Sequence, residues 1–269
     1  MSLTVSPAPP PLDRQAEAAL RAAFEALENP SLAARLSATV GTPIEALTAR
    51  LPSSLQGGLH GAVRKALVAA MDAALRTSPS AKPPGIASSW LHRGLAAATG
   101  AAGGAFGLAG TLVELPISTT VLLRQIAAIA AEEGEDLARP EIAAECLKIF
   151  ALGGRGSGDD AAESGYFALR IALAEALKGS IGKTILPGFI AAVAARFVGP
   201  VGLKLSAQAA PLIGAAAGAA INLAFLEHFR SVARGHFTLR RLERVHGAAT
   251  VRAAYDKLAA TRDVAFSKG

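Results

Sequence analysis

The chain has 269 residues, enough for one large domain or two small ones and for a sizeable buried core. Alanine occurs 62 times and Gly 27, while aromatics are 5% and charged residues 18%. That balance excludes a disordered or collagen-like chain and argues against a β-sandwich, whose strands need β-branched and aromatic residues. Lys and Arg outnumber the acids 27 to 21, a formal charge of +6 that suits an anionic partner. Few aromatics and no basic arm favour a lipid surface over nucleic acid. The single Cys excludes an internal disulfide, and no Cys/His cluster has structural-zinc spacing, so no cofactor or metal is expected.

The opening MSLTVSPAPPPLDR has neither a positive n-region nor an apolar run, so it reads as a Pro-rich leader rather than a secretory signal. That places the protein in the cytoplasm. Leu20, Phe24 and Leu27, spaced 4 and 3 apart among Arg14, Glu17, Arg21, Glu25 and Glu28, predict an amphipathic helix that Asn29-Pro30 ends. Further helices are expected over 31–40, 43–51 and 54–77. SPSAKPPG (78–85) reads as a linker between a helical arm and the main body.

The body differs in kind. Residues 94–113 carry no charge and six Gly, and residues 205–226 carry no charge and one Pro. Both runs reach the ~20 residues that a bilayer span needs. Both also contain Gly at four-residue spacing (Gly100 and Gly104, Gly103 and Gly107, Gly214 and Gly218), which lets helix backbones approach closely. Ala and Gly contribute little transfer free energy, so a tightly packed interior hairpin explains the same letters as a membrane-inserted one. Pro116 to Glu133 reads as a helix ended by Gly134, and Pro140 to Leu152 as a second with Pro at its first position. Asp159 or Asp160 is the expected N-cap of a helix through Lys178. A final pair covers 212–245 and 248–262, divided by Gly247. No segment alternates with period two, so the fold class is all-α, a multi-helix bundle with Ala/Gly-rich central hairpins. The domain reading is a leader over 1–13, an N-terminal arm over 14–85, a helical core over 86–263 and a tail over 264–269.

Polar residues on apolar stripes single out a site. Asn222, Phe229, His236 and Glu243 recur every seven residues and so share one face. His228 neighbours that face, and Arg240 follows His236 by one turn. In the helix from Pro116, Arg124 lies among Ile117, Val121, Ala127 and Ala128, with Glu114 just ahead. A buried polar group without a partner costs ~1–3 kcal/mol. Glu114, Arg124, Asn222, His228, His236 and Arg240 are therefore expected to form one buried or groove-lining cluster. Two readings stand for it: an ion-pair network fixing the register of small-residue helices, or a seat for a lipid head group or other anion. A metal site is disfavoured, since His228 and His236 stand about 80° apart around a helix.

Arg230, Arg234, Arg240, Arg241, Arg244 and Arg252 meet only Glu243 as an acid within their run. Arg230, Arg234, Arg241 and Arg244 are expected to face anionic lipid, at ~1 kcal/mol each near a surface. The competing reading is a solvated face paired to acids elsewhere. GSIGKT (179–184) lacks the first Gly of a phosphate loop, and no G-x-S-x-G elbow occurs. Cys146 reads as a small core hydrophobe. Trp90 and His92 ahead of the first Gly-rich run are as compatible with ordinary packing as with an interfacial anchor.

Two segments are more specific than composition: VELPISTTVLLRQIAAIAAEEGEDL (113–137), continuing to ECLKIFALGG (145–154), and PLIGAAAGAAINLAFLEHFRSVARGHFTLRRLERVHG (211–247). Together they resemble the EcsC family of bacterial proteins, and LENPSLAARLSATVGTPIEAL (27–47) is similar to the family's N-terminal part, so the likeness runs from about residue 17 to 250. The resemblance implies a helical fold and, because the founding member is encoded beside an ABC transporter, partnership with that or another membrane protein. It assigns no catalytic residues. The expected function is a non-enzymatic, membrane-associated helical protein at the inner membrane that binds a lipid or other hydrophobic anion. The alternatives are a metal-assisted hydrolase using Glu114 with His228 and His236, and a soluble protein-interaction adaptor.

Overall fold

Asp13 starts the first helix: its Oδ1 accepts the Ala16 N–H at 2.7 Å, meeting one of the donors that every helix start leaves unpaired. The computed structural model describes residues 10–28, 32–41, 53–76, 115–154, 165–178, 187–208 and 215–266. Among them the chain forms nine helices and no strand, the all-α bundle expected. They are α1 (Arg14–Glu28), α2 (Leu32–Val40), α3 (Ser53–Arg76), α4 (115–132), α5 (Pro140–Leu152), α6 (Tyr166–Leu177), α7 (Pro187–Gln208), α8 (Ala215–His246) and α9 (Ala248–Phe266).

Local chemistry sets several of these bounds. Gly134 takes φ +82° at the end of α4. There the Gly134 N–H donates to the Ala131 carbonyl and the Glu135 N–H to the Ala130 carbonyl, a Schellman close that only Gly adopts cheaply. Pro140 opens α5, where its missing N–H is no loss. Gly247, at φ +83°, turns the chain from α8 into α9. The start of α6 departs from expectation. It begins at Tyr166 with Gly165 as N-cap and no capping side chain. The carboxylate of Glu28, 138 residues away, instead accepts the Tyr166 N–H at 3.3 Å and the Tyr255 hydroxyl at 2.6 Å. A distant anion does at this helix start what a local Asp was expected to do; Asp159 and Asp160 lie outside the described residues.

The 32-residue α8, about 48 Å long, is the spine. Helices α1, α2, α5, α7 and α9 pack on it, while α3 packs on α7 and α6 on α5 and α7. One apolar core joins them from Ala16 to Tyr255. At its centre Phe150, Phe197, Phe225 and Phe229 meet with ring centroids 4.7–6.1 Å apart. Glycines make that approach possible. A Cβ on Gly153 would strike the Phe229 ring, and one on Gly154 the Arg196 carbonyl. A Cβ on Gly235 would stand 3.0 Å from the Ala23 carbonyl oxygen of α1.

Of the uncharged run 205–226, residues 205–208 end α7 and residues 215–226 begin α8, with 209–214 outside the described residues. Among the described residues, the helix long and apolar enough to cross a membrane is Pro187–Ala207, and half of its apolar window is buried in the protein. Gly218 is buried within α8. The runs 43–51, 78–85, 94–113 and 179–184, together with Trp90, His92 and Gly214, lie outside the described residues.

Candidate functional site

The polar stripe of α8 reaches its densest chemistry at His236, which is fully buried. Its Nε2 lies 3.1 Å from Glu145 Oε2 on α5, and its Nδ1 lies 2.8 Å from the Tyr166 hydroxyl on α6. An ionised carboxylate only accepts, so Nε2 carries the proton and Nδ1 accepts from Tyr166. Every hydrogen-bonding group of the Tyr–His–Glu set is thus met by a neutral imidazole. Burial depresses the His236 pKa against the opposing pull of Glu145. For Glu145, burial alone would raise the pKa; the His236 N–H and the Lys148 and Arg240 cations outweigh it and hold the carboxyl far below its usual range. Lys148 Nζ lies 2.8 Å from Glu145 Oε1, and Arg240 Nη1 lies 3.6 Å from the same oxygen. Burial also pushes the Tyr166 hydroxyl and the Cys146 thiol up, so neither is a ready nucleophile. The set resembles a relay, yet both His236 nitrogens are engaged and Tyr166 and His236 expose no surface. It holds helices together rather than presenting a reactive atom.

Around this set the arginines find acids of their own chain. The end of α4 and the turn after it carry Glu132, Glu133 and Glu135 to the C-terminal half of α8. Arg240 Nε lies 2.7 Å from Glu135 Oε1, Arg241 Nε 2.7 Å from Glu133 Oε2, and Arg234 Nη2 3.9 Å from Glu132 Oε2. Arg244 pairs with Glu135 and donates to the Glu133 carbonyl at 2.6 Å. Arg230 pairs with Glu227 and Arg252 with Asp256. Arg170 on α6 makes a two-pronged pair with Glu243 at 2.7 and 2.8 Å. The six-arginine run is therefore offset within the fold. Its attraction to an anionic surface is smaller than six bare charges would give, although Arg234 remains 59% exposed.

The six residues expected to cluster do not all meet. His236 and Arg240 do, through Glu145. His228 sits about 12 Å further back along α8 and uses Nε2–H on the Gly153 carbonyl at 2.8 Å. Asn222 is buried a further two turns away, about 21 Å from His236. Arg124 is exposed on α4, and so is Ile117, at 54%. Of the stripe expected to face the core, Val121 and Ala128 are buried, whereas Ile117 and Arg124 mark the outer edge of a helix that is apolar nearly all round. Glu114 lies outside the described residues. Glu145, Lys148, Tyr166 and Arg170 were not anticipated, and neither was the acidic turn as the partner of the basic run. The one usable signal was charge complementarity between EEGE (132–135) and the α8 arginines. Among the described residues, no group of three His, Cys, Asp or Glu could hold a metal ion.

The opposite side of α8 is built differently. Residues 231, 235 and 238 fall roughly 80–180° around the helix from 229, 236, 240 and 243, and His228 lies about 60–120° from the same four. Beside the Gly235 contact, α1 and α8 leave two adjoining cavities. One, of about 330 Å³, is walled mainly by polar surface and includes Glu25, Arg35, His228 and Ser231. The other, of about 290 Å³, is mainly apolar in surface, with Ala19, Ala22, Ala23, Ala26 and Gly235 in its wall beside Ser231, Arg234, Thr238 and Arg241. Both share Ala22, Ala26 and Ser231, so they form one groove. Burial, with a smaller contribution from the Arg35 cation, pushes the His228 pKa down to about 4. The ring is neutral at pH 7, and its Nδ1 is an acceptor.

Comparison with curated proteins and with solved structures finds no match. The model of the EcsC protein family matches residues 87–242. The two helical segments that carried the resemblance fall within that range apart from residues 243–247, whereas the similar stretch at 27–47 lies outside it. The match spans more than half of the chain: this protein belongs to the EcsC family.

Proposed function

We propose that the protein is a non-enzymatic, membrane-associated helical protein that binds a lipid or other hydrophobic anion in the groove between α1 and α8. The observation that carries this reading is the division of the groove. A polar cavity bearing the Arg35 guanidinium opens into an apolar cavity floored by alanines, the shape of an amphiphile with a charged head. Two features support placement at a membrane. The chain carries a formal +6, and α7 is apolar over Pro187–Ala207 with Gly188, Ala191, Ala195 and Gly199 on its exposed side. Catalysis has less support, since both nitrogens of His236 are occupied within the core.

The test is flotation of the full chain with phosphatidylglycerol-containing vesicles at low and high salt, beside native mass spectrometry after exposure to a total lipid extract. Surface charge gives binding that salt weakens, because screening lengths fall to ~8 Å at physiological ionic strength; insertion of apolar helix surface leaves a salt-resistant remainder. No flotation on anionic vesicles at low salt contradicts membrane association. Absence of any lipid adduct contradicts ligand binding.

A further inference from the structure

The groove also specifies the head group of its ligand. Arg35 and Glu25 both line the polar cavity, and among the described residues neither forms an ion pair. They differ from the arginines of α8 and the start of α9, each of which between 230 and 252 meets an acid. His228 lines the same cavity at 1% exposure. Its Nε2–H is committed to the Gly153 carbonyl, which leaves Nδ1 as an acceptor without a donor among the described residues. The cavity therefore offers one cationic donor, Arg35, and two acceptors, Glu25 and His228 Nδ1, with the Ser231 hydroxyl able to serve as either. A head with only negative charge would satisfy Arg35 and be repelled by Glu25. One that joins an anion to an amine satisfies all of them.

The tail is constrained as well. Ala19, Ala22 and Ala26 follow one another at three- and four-residue spacing along α1, and the mainly apolar cavity they wall, which Arg234 and Arg241 also line, measures about 290 Å³. That is at the small end of ligand sites, roughly 300–1,000 Å³, and suits one alkyl chain rather than two.

We infer that the α1/α8 groove takes a single-chain amphiphile whose head joins an anionic phosphate to a cationic amine, the phosphate on Arg35 and the amine on Glu25 and His228. This rests on the lipid-binding reading above and narrows it to one class of ligand.

The probe is lysophosphatidylethanolamine, titrated below its micelle concentration into the full chain by calorimetry, with lysophosphatidate as the amine-free comparison. Wild type should bind the amine-bearing probe one to one and prefer it to lysophosphatidate. Arg35→Gln should weaken it about tenfold, the worth of a charge-assisted hydrogen bond. Glu25→Gln should weaken the amine-bearing probe, strengthen lysophosphatidate and so reverse the preference. Ala22→Leu, which puts a larger side chain where both cavities meet, should abolish binding of both. All three positions are exposed, so unchanged thermal midpoints will show that the fold survives. Equal or tighter binding of lysophosphatidate by wild type overturns the amine assignment. Absence of saturable binding, or binding that neither Arg35→Gln nor Ala22→Leu alters, overturns the site. A chain that floats with vesicles yet ignores both probes refutes this inference and leaves membrane association standing; a chain that binds the probe without floating does the reverse.

Discussion

Helix α8 has two sides that the same residue types furnish to opposite ends. On the His236 side, Arg240, Glu145, Lys148, Tyr166, Arg170 and Glu243 satisfy one another. On the His228 side, Arg35 and Glu25 face a common cavity and form no ion pair among the described residues. Both sides hold a histidine with a depressed pKa. Only one holds groups left over for a ligand. Titratable clusters are therefore a weak guide to a binding site in this molecule; whether a cluster is already saturated is the better one.

The largest effect should come from breaking the saturated side. Glu145→Ala leaves Lys148 and Arg240 without their shared carboxylate in a nearly closed space, and removing one partner of such a set costs ~3–5 kcal/mol. Denaturant unfolding should show that loss. A cost near that of an exposed surface change would mean the network contributes nothing to the fold.

Acid should act next, through both sides at once. His228 titrates near 4 in the folded chain against 6.5 ordinarily. Above pH 6.5 both folded and unfolded chains hold it neutral, and its full contribution is present. Below 6.5 the unfolded chain takes up a proton that the folded chain refuses, so stability falls as pH drops from 6.5 towards 4, by roughly 3 kcal/mol. His236, also depressed, adds loss of the same sign. Denaturant midpoints at pH 7.5, 6 and 4.5 measure this slope. His228→Gln, which keeps a donor for the Gly153 carbonyl, should flatten part of it.

Packing between α1 and α8 comes third. Gly235→Leu drives a side chain into the Ala23 carbonyl and Leu27 and should cost ~1–3 kcal/mol. Gly61→Ala on α3, where an added Cβ meets nothing within 4 Å, should instead be neutral or stabilise by up to ~1 kcal/mol. Equal midpoints for the two variants would remove the close-contact argument. The smallest effect on stability belongs to the groove itself. Arg35→Gln and Ala22→Leu should stay within ~0.5 kcal/mol of wild type, although they alter binding.

Much of the fold was legible in the sequence because its punctuation is local. Gly134 and Gly247 supply positive φ, Pro140 lacks an N–H, and the Leu20–Phe24–Leu27 spacing marks the buried face of α1. The seven-residue stripe from Asn222 to Glu243 was legible for the same reason. Its partners were not. Glu133 and Arg241 lie 108 positions apart, and Glu28 and Tyr166 138 apart, so only topology brings them together. Arg124 was misplaced by composition. A helix rich in Ala, Ile and Leu on every side offers no contrast by which a sequence reveals its outer edge. The groove was equally hidden, since it consists of what Ala19, Ala22 and Ala26 leave empty beside a close contact at Gly235.

The most direct test of the division between the two sides of α8 is amide hydrogen exchange of the full chain with and without saturating lysophosphatidylethanolamine. The account predicts slower exchange over 19–28 of α1 and around 35 of α2 and 228–235 of α8, with no change over 145–152 and 166–173. Slowing confined to 145–152 and 166–173, with α1 unchanged, would contradict it and make the His236 network the binding site.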